Sequence, residues 1–164
     1  MSDSARLVGA LVDHGWTLGI AESLTGGALA AEVVSVPGAS ATLLGAVVAY
    51  ATPVKATLLG VDAALLDEWG AVHADVAAQM ATGVCDAVQV GGRAADVGIS
   101  TTGIAGPDSP DGQPVGTVHV GVSAPGGVRT ESFLFEGDRA AVRDQAVHAA
   151  ISAALRMIGE YRID

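Results

Sequence analysis

The stretch TLGIAESLTGGALAAEVVSV (17–36) decides the fold. Its first seven residues, 17–23, read as a short buried strand. They run directly into an Ala-rich helix, 24–36, for which Thr25 is a candidate N-cap. An apolar strand that passes through a small polar turn and two glycines into a helix is the unit from which α/β domains are built.

The flanking sequence repeats this grammar. Upstream, Leu7, Val8, Ala10 and Leu11 mark a short amphipathic helix over 5–14 that stops at Gly15. Downstream, Pro37-Gly38 is a break. LLGAVVAYA (43–51) is a near-continuous apolar run, which predicts a strand covered on both faces. Thr52-Pro53 opens a short helix that Gly60 closes, and a second short helix near 62–69 ends at Gly70. Residues 74–90 carry Val76, Ala77, Met80, Val84, Ala87 and Val88 at helical spacing. ADVGISTTG (95–103) is another buried strand, followed by the loop IAGPDSPDGQP. In 115–123 the valines at 118, 120 and 122 alternate, and Pro125-Gly126-Gly127 turns the chain into 128–135 as an antiparallel hairpin. A long helix spans 138–160. With no repeat and no break in composition, the expectation is one three-layer α/β/α domain over 1–164, with a mixed sheet that includes the hairpin.

Composition narrows the function. The 164 residues include 8 Lys+Arg and 18 Asp+Glu, a formal net charge of −10. Such a surface repels a phosphate backbone, and aromatic content of 4% supplies few stacking platforms, so no nucleic-acid partner is expected. A small anion can still be held locally by backbone N–H groups and one or two Arg. The single Cys85 excludes an internal disulfide and a Cys-rich metal site. The acidic loop Asp108-x-x-Asp111-Gly112 lacks the further ligands of a cation loop, so no metal and no cofactor are expected. The N-terminus lacks the basic start of a signal peptide and no 18-residue charge-free apolar run occurs; the expectation is a soluble cytoplasmic protein with no membrane partner.

Three strand ends carry the candidate chemistry: Glu22-Ser23-Leu24-Thr25-Gly26-Gly27, Tyr50-Ala51-Thr52-Pro53-Val54-Lys55 and Thr101-Thr102-Gly103-Ile104-Ala105-Gly106-Pro107. In open α/β sheets ligands bind outside the carboxyl ends of strands. Ser23 sits at a strand-to-helix junction, where it serves either as a cap or as an exposed nucleophile; position alone leaves both open. The Gly26-Gly27 turn brings backbone N–H groups toward an anion or a developing oxyanion. Lys55 is the only lysine of the chain, in otherwise apolar sequence near a helix start. Acting as a general base would require its pKa to fall by ~3 units, and burial pushes that way. Of the four histidines, His14 and His148 read as helix-surface residues and His73 as a helix N-cap. His119 alternates with the valines and could approach a site. No G-x-S-x-G elbow surrounds Ser23, so a Ser–Lys arrangement fits better than Ser–His–Asp. Arg139 and Arg143 lie one turn apart, on one face of the last helix, where they could hold a phosphate or pair with neighbouring Asp.

Taken together, AESLTGG, VPGAS, LLGAVVAYATPVKATLLGV, TTGIAGPDSPDG, PVGTVHVGV and FEGDRAAVRDQAV resemble the CinA C-terminal domain family, from about residue 5 to residue 160. The resemblance implies an α/β domain, here expected in its stand-alone form and as a homo-oligomer, commonly a dimer. It further implies hydrolysis of nicotinamide mononucleotide, a small-molecule nucleotide, to nicotinate mononucleotide and ammonia. By that likeness Ser23 is the nucleophile, Tyr50 and Lys55 activate it and Thr102 orients the amide. The turn residues Thr25, Gly26, Gly27, Gly103 and Gly106 then border the substrate, with oxyanion N–H groups near Gly26, Gly27 and Gly103. Arg139 and Arg143 meet the phosphate. The family's older label, competence/damage-inducible, carries no chemical information. Three positions depart from the common pattern: Thr52 and Pro53 stand where Asn and Glu are usual, and His73 where a helix-entry Ser is. The alternative reading is a non-catalytic module of the same fold that binds a nucleotide without turning it over.

Overall fold

The computed structural model describes residues 1–160. Five strands, β1 (Leu18–Glu22), β2 (Leu43–Val48), β3 (Val97–Gly103), β4 (Thr117–Ala124) and β5 (Gly127–Leu134), form one sheet in the order β2-β1-β3-β4-β5. The β1–β2 and β1–β3 pairs are parallel; β3–β4 and the β4–β5 hairpin are antiparallel. The expected mixed sheet with a hairpin is present.

Helices cover both faces. On one side α1 (Asp3–His14), α2 (Ala28–Val34) and α6 (Arg139–Glu160) pack on Leu18, Ile20, Val97, Ile99, Val118, Val120 and Val122. On the other, α3 (Thr52–Leu59), α4 (Ala63–Trp69) and α5 (Ala74–Ala87) enclose Ala21, Ala49, Leu59, Val61, Leu66, Val76, Met80 and Val84. The alternating valines of β4 thus face α6. Glycines on the opposite face let α5 approach closely: a Cβ at Gly121 would lie 2.3 Å from the Ala77 carbonyl oxygen. Ser100 beside it donates to that same carbonyl at 2.6 Å.

Two expectations need correction. First, β2 is an edge strand, not one covered on both faces. Ala46 and Val48 are exposed, Val48 at 46%. The apolar run ranks the strand as buried, but α2 is only seven residues long and leaves this end of the sheet open. Second, Thr25 is not a helix cap. Residues 23–27 form a tight turn, with Gly26 at φ 60° and Gly27 at φ 102°, both in the left-handed region that favours Gly. The helix starts only at Ala28, and its first amides are capped from elsewhere: Glu22, fully buried, accepts from Leu29 N–H at 2.9 Å and from Ala30 N–H at 3.1 Å. His73 caps α5 as expected, its Nδ1 accepting from Asp75 N–H at 3.1 Å.

The topology places the site. Since β1, β2 and β3 are parallel, Glu22, Val48 and Gly103 end at the same edge of the sheet. From β1 the chain moves to one neighbour through α2, then returns across β1 to the other through α3, α4 and α5. That reversal opens a crevice at the strand ends, the usual ligand position in such sheets.

Candidate active site

A cavity of about 410 Å³ occupies this crevice, within the range of small-molecule sites. Ser23, Tyr50, Lys55, Thr102, Gly103, Gly106 and Arg139, all expected from the sequence, line it.

Lys55 is the most telling of them. Pro53 helps start α3, and the first turn of that helix carries Lys55 inward until it is 1% exposed. Its Nζ lies 3.0 Å from Ser23 Oγ, 2.7 Å from the Ala49 carbonyl oxygen and 3.4 Å from the Tyr50 carbonyl oxygen. Burial pushes its pKa down to about 8. All three contacts have Nζ as the donor; once the amine loses a proton its lone pair can instead accept the Ser23 O–H.

Ser23 is held by the sheet. Its N–H donates to the Thr101 carbonyl at 3.1 Å, extending β1–β3 pairing by one residue, and its carbonyl accepts from Gly26 N–H at 3.1 Å. Thr102 is buried, and its hydroxyl donates to the Ala71 carbonyl at 2.7 Å. The hydroxyl lone pairs therefore remain available to accept from a ligand N–H.

Tyr50, expected with Lys55 to activate Ser23, makes no hydrogen bond to either through its hydroxyl. Its side chain is 61% exposed on the cavity wall, and its hydroxyl accepts from Arg139 at 3.0 Å. What Tyr50 offers Lys55 is its backbone carbonyl. Arg139 begins α6 and also donates to the Gly106 carbonyl at 2.8 Å, so α6, β2's end and the 104–116 loop meet at one guanidinium.

The remaining expected residues sit beneath the cavity rather than in it. Thr25 is fully buried, its hydroxyl 2.8 Å from that of Thr101. Gly26 and Gly27 shape the turn, and the Gly26 amide is already engaged by Ser23. Arg143 does not line the cavity: its Nε donates to the Leu24 carbonyl and its Nη2 to the Thr25 carbonyl, each at 2.9 Å. One helical turn separates it from Arg139, yet the cavity ends between them. His119 donates to or accepts from Ser132 Oγ at 2.7 Å through Nδ1 and does not line the cavity.

Leu24, Ala71, Asp108 and Asp111 also line the cavity, although the sequence reading gave none of them a role in the site. The two Asp come from the acidic loop weighed only as a cation loop. That loop follows the carboxyl end of β3, and this position was the available signal. Of the three departures noted above, Thr52 lines the cavity, whereas Pro53 and His73 do not. Among the described residues no cluster of His, Cys, Asp and Glu could hold a metal ion, and no helix is long and apolar enough to cross a membrane.

Comparison with known proteins agrees with this architecture. A model of the CinA C-terminal domain matches residues 2–158. CinA-like proteins of Frankia casuarinae and Anaeromyxobacter dehalogenans are each 45% identical to the chain, over 93% and 89% of it. The chain spans about a third of the length of these curated relatives (34% and 35%). A crystal structure of a competence-damaged protein (CinA) superfamily member from Klebsiella pneumoniae superposes with a TM-score of 0.90 at 33% identity, covering 97% of both chains. One from Escherichia coli gives 0.88 at 31% identity, covering 94% of this chain and 88% of that one. The sequence match along nearly the whole chain and the shared mixed five-stranded sheet lead to one conclusion: this chain belongs to the CinA C-terminal domain family.

Proposed function

We propose that this chain is an amidohydrolase that releases ammonia from the carboxamide of nicotinamide mononucleotide. One observation carries the reading: a buried lysine, paired with no carboxylate among the described residues and depressed toward neutrality, touches the hydroxyl of a serine at the floor of a ligand-sized cavity. A Ser–Lys pair of this kind activates the hydroxyl without histidine.

The chemistry follows from the contacts. Neutral Lys55 takes the Ser23 proton as Oγ bonds to the carboxamide carbon. Thr102 accepts a hydrogen bond from the amide nitrogen and fixes its orientation. On collapse the C–N bond breaks, the Lys55 proton passes to the departing nitrogen and ammonia leaves. Water then attacks the acyl-enzyme with Lys55 again as base, releasing nicotinate mononucleotide and restoring Ser23. Arg139, whose guanidinium keeps N–H groups beyond its bonds to Gly106 and Tyr50, receives the substrate phosphate. No metal or cofactor enters this scheme.

The same reading includes a homo-oligomer. Its support is β2, an uncharged edge strand with exposed Ala46 and Val48, a surface that a lone molecule usually blunts. Light scattering on the purified protein measures this directly.

The deciding experiment incubates the protein with nicotinamide mononucleotide and measures ammonia and nicotinate mononucleotide, with Ser23→Ala and Lys55→Ala alongside. Turnover by the parent alone supports the amidase. Calorimetric binding of the nucleotide without turnover would favour the non-catalytic module instead.

A further inference from the structure

The cavity beside Ser23 is lined by charges of both signs that do not pair. Arg139 donates to the Gly106 carbonyl and the Tyr50 hydroxyl. Asp111 lines the same cavity from the loop after β3. Among the described residues neither makes an ion pair. Opposite charges that line one cavity of about 410 Å³ attract each other, so each must be held where it stands.

A small network holds Asp111. Its Oδ1 accepts from the Gln113 N–H at 3.2 Å and from the Ser109 hydroxyl at 3.3 Å, and its Oδ2 accepts from Gln113 Nε2 at 2.9 Å. The same Nε2 donates to the Val72 carbonyl at 3.0 Å. The carboxylate is thereby fixed against segment 70–72, which lines the cavity too; a Cβ added at Gly70 would lie 3.9 Å from Asp111 Oδ2. The middle residue of that segment, Ala71, accepts the Thr102 hydroxyl. Desolvation pushes the Asp111 pKa up, but the hydrogen bonds from Gln113 and Ser109 outweigh it and hold the group below the usual carboxylate range. Asp108 also lines the cavity, yet no hydrogen bond fixes its carboxylate among the described residues.

A ligand that matches this arrangement carries an anionic group for Arg139 and a centre of positive charge for Asp111 in one molecule. Nicotinamide mononucleotide has both, because bonding the ring nitrogen to ribose makes the ring a pyridinium cation. Its dihydro form keeps the carboxamide, ribose and phosphate but has a neutral ring.

We propose that Asp111 is a specificity-determining residue that selects a cationic ring, which makes N-substituted pyridinium carboxamides, rather than neutral amides, the substrate class of this site. The assignment rests on the amidase reading above and deepens it. Gln113 and Ser109 act through Asp111, as the residues that position its carboxylate.

The test separates ring charge from every other contact. Calorimetry on Ser23→Ala protein, in which no turnover interferes, gives Kd for nicotinamide mononucleotide and for its dihydro form. The same pair is measured on Ser23→Ala/Asp111→Asn. The ratio of the two Kd values is the preference for the cationic ring, and it should fall by ~5-fold on Asp111→Asn. The expected effect is modest because Asp111 is exposed to solvent screening. Asp13→Asn in the Ser23→Ala background makes the same charge change at an exposed position of α1, and should leave the ratio unchanged. Equal weakening of both forms by Asp111→Asn would assign the carboxylate to the ribose hydroxyls and overturn the proposal. An unchanged ratio, or an equal fall in Asp13→Asn, would overturn it as well. Turnover by the parent decides the amidase reading separately. A parent that binds the nucleotide without hydrolysing it, but with the ratio dependent on Asp111, would remove the amidase and keep this inference. A parent that hydrolyses it while the ratio ignores Asp111 would do the reverse, and absence of binding by either form would overturn both.

Discussion

Lys55 Nζ and Ser23 Oγ lie 3.0 Å apart although 32 residues separate them in the chain. The contact joins the first turn of α3 to the end of β1. It exists because β1 and β2 are parallel neighbours, so the segment leaving β2 returns over the end of β1. The amine is buried with two carbonyls and one hydroxyl as its partners. Burial, not this set of acceptors, pulls its pKa down, and the first two predictions depend on that shift.

The activity should depend on pH through Lys55. With the pKa pushed down to about 8 by burial, only a minor fraction of the amine is neutral at pH 7. The kcat/KM for nicotinamide mononucleotide should therefore rise from pH 6 to pH 9 and level off above an inflection near 8, the value belonging to the free enzyme. A flat profile across that interval would remove lysine as the base.

The same shift appears in stability. Unfolded Lys55 titrates near 10.5 and folded Lys55 near 8, so the unfolded state binds more protons between those values. Stability then rises with pH across that window, by up to about 3 kcal/mol, and below pH 8 the native state carries the full cost of a buried ammonium. Lys55→Met retains the volume without the titration. Urea unfolding of parent and variant between pH 7 and 10.5 should show their difference closing by this amount, in the parent's favour, as pH rises.

Replacing the pair itself separates chemistry from folding. Ser23→Ala should reduce kcat by at least ~10³-fold, in line with the loss of a covalent nucleophile. Its melting temperature should stay near the parent's, because only one hydroxyl contact is lost. A variant with substantial residual turnover would show that the attacking oxygen comes from elsewhere.

Arg139→Ala should act on binding. Charge-assisted hydrogen bonds are worth roughly 1.5–3 kcal/mol each, so KM for the phosphorylated substrate should rise by ~10- to 100-fold with a smaller change in kcat. Nicotinamide riboside, which lacks the phosphate, should be affected far less. Equal losses for both compounds would place the phosphate away from Arg139.

Glu22 offers a test of the scaffold. Its carboxylate is the acceptor for the first amides of α2, across the turn that carries Ser23. Glu22→Ala should cost about 1–3 kcal/mol in urea unfolding, because two amides lose their acceptor in a buried setting. Glu22→Gln, which retains one acceptor oxygen, should lie between. An unchanged midpoint in Glu22→Ala would mean that the α2 amides find other partners.

The sequence by itself determined the layers and most of the elements. Period-two valines at 118, 120 and 122, the helical spacing from Val76 to Val88, and the Gly and Pro stops all report local geometry, which each segment carries without its neighbours. Ser23 and Lys55 stood out by position and by Lys55 being the only lysine, whereas the roles of Ser23, Tyr50, Lys55, Thr102 and Arg139 came through the resemblance of the motifs. Tertiary structure alone decided the rest. The apolar run 43–51 does not reveal whether it lies at the centre or the edge of a sheet; the shortness of α2 and the strand order settle that. Arg139 and Arg143 share a face in the sequence pattern, but the cavity ends between them. Arg143 grips carbonyls 118 and 119 residues away in the chain. Likewise Thr25 reads as a cap, yet buried Glu22 caps α2 and leaves the turn to Gly26 and Gly27. Periodicity measures which side of an element is apolar. Which groups meet across the end of a sheet depends on strand order and helix length, and those are fixed only when the whole chain packs.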